Sequence, residues 1–339
     1  MINYIKALSL LKASKTTIES ENILSENSLN RISTKNVYTT NNFPSANNTA
    51  FDGYAINYLD TKSLNKNNTK KFKIIKTIAA GDNPKIKKKE KFSAIEVMTG
   101  AIISRPFNTI IPVESVKTFK SKNNTRYIIL KKKYKKNEFI RFEGSDFRKG
   151  DIVVKKGEII NSSHILALKT LGIKKINVKK KPKIIFYTTG NEISNKIRIP
   201  KWKIRNSNNY YLKSYLKNFP VEFIEKKILR DNNAQLFERE IKKNLRNKAD
   251  IVITSGAVSA GKFDFIPDVI KKFKLKIMFK GVSIRPGKPI MYAKFNKYTS
   301  FFGLPGNPIS SAACFRFFVQ PYLFFSLGLE VKDKIEARL

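Results

Sequence analysis

The sequence predicts a multidomain α/β protein, and three observations carry that expectation. At 339 residues the chain is longer than one hydrophobic core usually organises, so two or three domains are expected. Short apolar or alternating segments fill residues 51–134, separated by Gly, Pro and Asn turns. Beyond residue 183 the apolar period switches repeatedly between strand and helix values, the pattern of βαβ units on a mainly parallel sheet.

The elements follow in chain order. MINYIKALSLLKAS places Ile2, Ile5, Leu8 and Leu11 at helical spacing. Lys12 interrupts this short apolar run and no convincing cleavage site follows, so a first amphipathic helix is expected rather than a secretory signal. The polar stretch TTNNFPSANNTA (39–50) marks a boundary. FKIIKTIAA, IEVMTGAII, NTIIPVE and RYIILKK then read as strands of a small β-rich domain. Residues 139–173 run from strands into a helix ending near Gly172, which is expected to return to the N-terminal helix. After KKKPK, the segment KIIFYTTGNEI (183–193) is a buried-type strand that opens an α/β domain. A helix over 208–218, a strand in VEFIEKKIL, a helix in AQLFEREIKKNLRN and the strand DIVITSG continue it. The expected division is a discontinuous linking domain (1–44 and 136–178), a β-rich domain (45–135), an α/β domain (179–328) and a tail (329–339). Ligands of such α/β sheets belong at the carboxyl ends of the strands.

Charge is the strongest compositional feature: 67 Lys+Arg against 26 Asp+Glu give a formal net charge of +41. That excess would ordinarily suggest nucleic acid. The basic residues are nevertheless spread along the chain in runs such as KIKKKEK (85–91), KKKYKK (131–136) and KKKPK (179–183), as on solvated strand ends and loops. No aromatic-interleaved RNA motif or zinc-finger spacing accompanies them, so no specific nucleic-acid partner is expected. Lys, Asn and Ile share AT-rich codons, and compositional drift explains the charge as well as selection does. The most apolar stretch, near 313–328, is broken by Arg316, Gln320 and Pro321, so no membrane partner is expected either. One cysteine, Cys314, excludes an internal disulfide or a thiolate cluster, fits a reducing, cytoplasmic setting and reads as core packing.

Two loops carry the chemistry. In DIVITSGAVSAGKFDFIPDVI (250–270) a buried strand leads through Ser255, Gly256, Ala257, Ser259 and Gly261 into a helix expected near Phe265. Small residues let main-chain N–H groups approach an anion, and the helix terminus adds a favourable field, which makes a phosphate cradle. The pattern is neither G-x-G-x-x-G nor a Walker loop, and an ordinary tight strand-to-helix turn is the competing reading. In GLPGNPISS (303–311), Pro305 and Pro308 stiffen a loop in which Gly303 and Gly306 allow close approach, with Ser310 or Ser311 at a helix start. RPGKP (285–289) holds Arg285 and Lys288 where they can neutralise phosphate or an oxyanion, unless it is a solvated basic loop.

Carboxylates are scarce enough to single out. Asp52, Asp146, Glu192 and Asp264 lie beside Gly or at strand ends, and Asp268 follows the phosphate loop. Hard oxygen donors suit Mg²⁺, which takes one or two carboxylates plus substrate phosphates, although each could instead cap a helix or turn. His164 is the only histidine and falls in an expected helix, so histidine acid–base catalysis and a His-rich zinc site are not expected.

Taken in order, TAFDGYAI, VMTGAIISRPFNTIIPVE, RFEGSDFRKGDIV, TTGNEI, IRNSNNYYL, DIVITSGAVSAG with FDF, RPGKP and GLPGNPISS resemble the molybdopterin molybdenumtransferase family, the MoeA-type enzymes that include the E domain of gephyrin. The resemblance runs almost from end to end. It implies a homodimer whose cleft lies between the third domain of one subunit and the second domain of its partner. It also implies the reaction: molybdate enters the dithiolene of adenylylated molybdopterin, Mg²⁺ assists, and AMP leaves.

Carried over to this sequence, Asp52 and Thr99 face the cleft from the second domain. Glu192, Asp264, Lys288 and the loop Pro305, Gly306, Asn307 and Pro308 form the other wall, while Ser255, Gly256, Ser259 and Gly261 hold the phosphate. Asp52, Glu192 and Asp264 become the Mg²⁺ ligands, with Lys288 and Arg285 on the incoming oxyanion. Ala257 stands where the family has Gly, Lys262 where an acidic residue is common, and Arg285 where Lys is usual. Family members continue into a fourth small β domain, which is read as absent here because the sequence stops at Leu339. A non-catalytic molybdopterin-binding scaffold and a basic nucleic-acid-associated protein are the alternative readings.

Overall fold

A computed structural model describes residues 1–86, 90–230, 234–256, 266–273 and 275–330. The chain is mixed α/β and divides by its contacts into two units. One comprises residues 37–153 with 170–173, and the other residues 1–36, 154–169 and 174–339. Residues 1–36 and 154–169 share the second unit with the α/β fold.

The first unit is built on a six-stranded sheet of β1 (Gly53–Ile56), β2 (Lys70–Ile78), β3 (Ser93–Val97), β4 (Thr109–Pro112), β5 (Thr118–Lys120) and β6 (Arg126–Leu130). Their order is β4-β1-β3-β2-β6-β5, with β2 and β3 the parallel pair. Strand alternation feeds a core on each face. Tyr54, Ile56, Ala94 and Ile111 point one way, and Ala55, Ile95 and Ile110 the other. Gly53 is obligatory at the start of β1, because a Cβ there would lie 2.1 Å from the Ile111 carbonyl oxygen. Its register partner on β3 is Val97, which brings the residues just outside the two strands, Asp52 and Thr99, to the same edge.

The second unit holds α1 (Tyr4–Ala13), α2 (Ser162–Thr170), α3 (Ser207–Leu216), α4 (Ala234–Arg246), α5 (Ile266–Lys272), α6 (Pro308–Cys314) and α7 (Gln320–Leu327), the last two joined by a π-turn over Phe315–Val319. Its sheet contains β7 (Lys183–Thr188), β8 (Glu222–Glu225), β9 (Ile251–Ser255), β10 (Lys276–Lys280), β11 (Met291–Lys294) and β12 (Ser300–Leu304). The order is β8-β7-β9-β12-β11-β10. β8, β7, β9 and β12 are mutually parallel, and β11 and β10 extend the edge antiparallel.

Near-continuous apolar strands such as IVITS and SFFGL are what a sheet covered on both faces requires. Ile184, Phe186, Ile253, Phe302 and Leu304 pack against α1, α3 and the α6–α7 run. Ile185, Tyr187, Val252 and Phe301 pack against Phe237 and Ile241 of α4 and Ile266 and Val269 of α5. Each such fully buried side chain contributes roughly 1.5–3 kcal/mol. The N-terminal helix buries Ala7 and Leu11 in the first of these cores. His164 is structural: its Nδ1 accepts from the Asn161 N–H at 3.2 Å while the Asn161 Oδ1 accepts from the His164 N–H at 3.0 Å, a reciprocal cap on α2.

Candidate active site

The chain enters the parallel sheet at β7, adds β8 on one side, then crosses to β9 on the other. The strand order therefore reverses between β7 and β9, and α/β sheets bind ligands outside the carboxyl ends of the strands at such a point. Thr188, Ser255 and Leu304 stand level there on β7, β9 and β12.

Hydrogen bonds lock the three exits together. The Thr189 N–H and Oγ1 both donate to the Ser255 carbonyl at 3.0 Å, and the Gly256 N–H donates to the Leu304 carbonyl at 3.0 Å. Gly256 has φ +96°, and a Cβ would lie 2.7 Å from Thr189 Oγ1 and 2.8 Å from its carbonyl oxygen, so only glycine fits. Gly306 comes close enough that its Cβ would lie 3.5 Å from the Gly256 Cα. Asn208 in the first turn of α3 joins the two loops: its Nδ2 donates to Ser255 Oγ at 2.5 Å and to the Gly306 carbonyl at 3.0 Å. Sequence reasoning did not select Asn208. A buried polar residue within IRNSNNYYL was the signal that could have found it.

The 303–311 loop divides its tasks. Pro305 is buried, while Gly306, Asn307 and Pro308 are exposed. Asn307 is the N-cap of α6, its Oδ1 accepting from the N–H groups of Ile309 and Ser310 at 3.1 and 3.2 Å, and Pro308 occupies the first turn. The donors of that helix end and the Gly256 N–H are thus already engaged within the protein. Ser259, Gly261 and Asp264 lie outside the described residues.

Glu192 is exposed on the loop leaving β7 and folds over Gly190, where a Cβ would meet its Oε2 at 2.5 Å. Arg230 holds this loop by donating from Nη1 to the carbonyls of Gly190, Asn191 and Ile193 at 3.1, 3.0 and 2.9 Å. Arg230 was also missed from sequence, since its three acceptors lie 37–40 residues away. On the 285–289 segment, Arg285 and Lys288 are exposed and neither forms an ion pair among the described residues. Gly287 behind them lies against Cys314, whose Sγ donates to its carbonyl at 3.2 Å. Burial pushes that thiol up to about 12, so Cys314 is packing and not a nucleophile.

In the β-rich unit Asp52 and Thr99 are brought together. The Thr99 N–H and Oγ1 donate to Asp52 Oδ1 at 2.6 and 2.7 Å. Those two bonds hold the Asp52 carboxyl below the ordinary carboxylate range, and both residues are exposed. Asp146 takes the structural alternative, ion-paired with Arg141. Among the described residues no three His, Cys, Asp or Glu side chains cluster as a metal site, and no helix is long and apolar enough to cross a membrane.

Comparison with known proteins fits this arrangement. Residues 2–172 match the MoeA N-terminal region (domain I and II), and residues 185–324 match a probable molybdopterin binding domain. A molybdopterin molybdenumtransferase of Staphylococcus epidermidis is 33% identical over 279 residues, covering 82% of this chain and 64% of the relative. That of Staphylococcus aureus is 32% identical over 294 residues, covering 86% and 68%. This chain therefore spans about two thirds of the length of the curated relatives it matches. The crystal structure of the molybdopterin biosynthesis MoeA protein from Pyrococcus horikoshii superposes with a TM-score of 0.82 at 28% identity, covering 97% of this chain and 80% of that one. On these grounds the chain belongs to the MoeA family.

Proposed function

We propose that this chain works in molybdenum cofactor biosynthesis as a molybdopterin molybdenumtransferase, inserting molybdate into adenylylated molybdopterin with release of AMP. The observation that carries the reading is the Asn208 link between Ser255 and Gly306, which ties the carboxyl end of β9 to the loop after β12. A preorganised wall holds a bound phosphate without reordering its own backbone. Ser255, Gly256 and the Gly306–Pro308 turn position the pterin phosphate or nucleotide, and Arg285 and Lys288 hold molybdate and offset charge on the departing AMP.

Magnesium fits the oxygen donors present. Asp52 stays ionised, and Thr99 occupies only its Oδ1, leaving Oδ2 without a hydrogen bond among the described residues. Asp52, Glu192 and Asp264 are the proposed ligands, and the ion would supply charge neutralisation at the pyrophosphate-like bridge of the substrate. Thr99 fixes the Asp52 rotamer and keeps that carboxylate from accepting a proton. The functional form is proposed as a cytoplasmic homodimer, with Asp52 and Thr99 of one copy serving a site on the other.

Purified protein incubated with adenylylated molybdopterin, Mg²⁺ and molybdate tests the reading. Molybdate-dependent AMP release is expected, lost in Asp52→Asn and in Lys288→Gln and partly restored when those two inactive variants are mixed. Tight substrate binding without AMP release would replace the enzyme with a molybdopterin-binding scaffold. A monomer, or no restoration on mixing, would refute the shared site.

A further inference from the structure

The amino ends of the same strands enclose a second cavity that the carboxyl-end site does not use. Its volume is about 450 Å³, within the range of small-molecule sites. Lys183 at the start of β7, Asp250 before β9 and Thr299 before β12 line it, together with the 16–19 segment after α1 and the end of α4. At about 3.3 Å per residue the length of β9 places it roughly 16 Å from Ser255.

The charges around this cavity are unbalanced. Lys180 is paired with Glu19 at 2.7 Å, and Asp250 accepts the Lys183 backbone N–H at 2.8 Å. Lys181, Lys183 and Lys248 form no ion pair among the described residues, so the lining carries the four lysines Lys180, Lys181, Lys183 and Lys248 against the two carboxylates Glu19 and Asp250. A neighbouring depression that shares Asn296 is lined by Lys15, Lys276, Lys294 and Lys297 and by no carboxylate. Lys294 is held in place by Thr16 Oγ1 at 2.9 Å, Ser300 Oγ at 3.1 Å and the Tyr322 hydroxyl at 3.4 Å, partners that leave its charge uncompensated. The lysines of the run 131–136 lie on a loop. Here lysines surround a concavity, where low-dielectric walls focus the field on a bound anion. The lining also has an apolar part in Ile18, Leu245, Ala249 and the ring of Tyr298.

We propose that this amino-end cavity binds a phosphate-bearing anion of nucleotide size, with its phosphates on Lys181, Lys183 and Lys248 and its body against the apolar wall. The inference does not depend on the transferase reading, because none of these residues belongs to the carboxyl-end site. Titration calorimetry of the full chain at about 0.15 M ionic strength, where general attraction is screened, tests it with inorganic pyrophosphate, ADP and adenosine. Saturable 1:1 binding of ADP is expected. It should weaken about tenfold or more in K181Q/K183Q/K248Q and hold in the loop control K131Q/K132Q/K136Q. Asp250→Asn, which keeps an acceptor for the Lys183 N–H and removes the opposing charge, should tighten it severalfold. ADP binding more tightly than pyrophosphate is expected from the apolar wall, and pyrophosphate binding as tightly as ADP would overturn the nucleotide-sized ligand. Equal losses in the two triple variants, adenosine binding as tightly as ADP, or no saturable binding would each overturn the proposal.

Discussion

Asn208→Ala separates the two loops of the carboxyl-end wall without touching either. Asn208 is 7% exposed, and the substitution removes both Nδ2 bonds, to Ser255 Oγ and to the Gly306 carbonyl. Ser255 is buried, so its hydroxyl loses a partner that water cannot readily replace, at about 1–3 kcal/mol. Gly306 is exposed, and water takes over its carbonyl with little loss. Taking about 2 kcal/mol in total, a domain of this size should melt roughly 4–8 °C lower. The functional loss should be larger than the stability loss, because a displacement of about 1 Å between positioning groups can reduce a rate on the order of a hundredfold. Melting by circular dichroism, amide exchange over residues 304–307 and AMP release measure the three effects. Asn209→Ala is the matched control: it lies on the same helix at 3% exposure, and its Oδ1 has no hydrogen-bond partner. If Asn208→Ala exchanges and turns over no differently from Asn209→Ala, the link does not organise the site.

Gly256→Ala should cost about 2–4 kcal/mol, since the new methyl meets backbone oxygen at a positive φ, whereas Gly306→Ala makes an ordinary 3.5 Å contact and should cost under about 1 kcal/mol; urea midpoints at unchanged slope compare them. Thr99→Val deletes one of the two bonds that depress the Asp52 pKa, so the Asp52 carboxyl should titrate nearer its ordinary value of about 3.9, read from its ¹³C resonance. The contribution of that pair is present above the unfolded pKa and is lost as pH falls through the folded one, so wild type and Thr99→Val should differ in stability at neutral pH and converge in strong acid. Burial raises the pKa of Asp250, so its ionisation opposes folding increasingly as pH rises from the unfolded carboxylate value through the folded one. Asp250→Asn should therefore raise the melting temperature more at pH 8 than at pH 4, and an equal gain at both would contradict the assignment.

Strands and helices were legible because they depend on neighbours in the chain. The apolar runs in IVITS and SFFGL state burial on both faces, and the alternation in the β-rich unit states a sheet with two cores. Asn307 before Pro308 announces a helix start, although the sequence reading looked to Ser310 and Ser311 instead of the residue that caps it. The resemblance placed Asp52 and Thr99 in the same domain, and the antiparallel register Gly53↔Val97 brings them within hydrogen-bonding distance.

What the sequence determined by itself was therefore the α/β class, the family and the 303–311 loop with its helix start, all of which follow from local periodicity and short ordered motifs. Only the tertiary structure decided which groups meet. Asn208 finds its acceptors 47 and 98 residues away, and Arg230 reaches back 40 residues to hold the Glu192 loop. Lysines from separate segments surround one cavity at the amino ends of the strands. Such pairings depend on strand order and register, which set distances between residues whose sequence separation carries no geometric information.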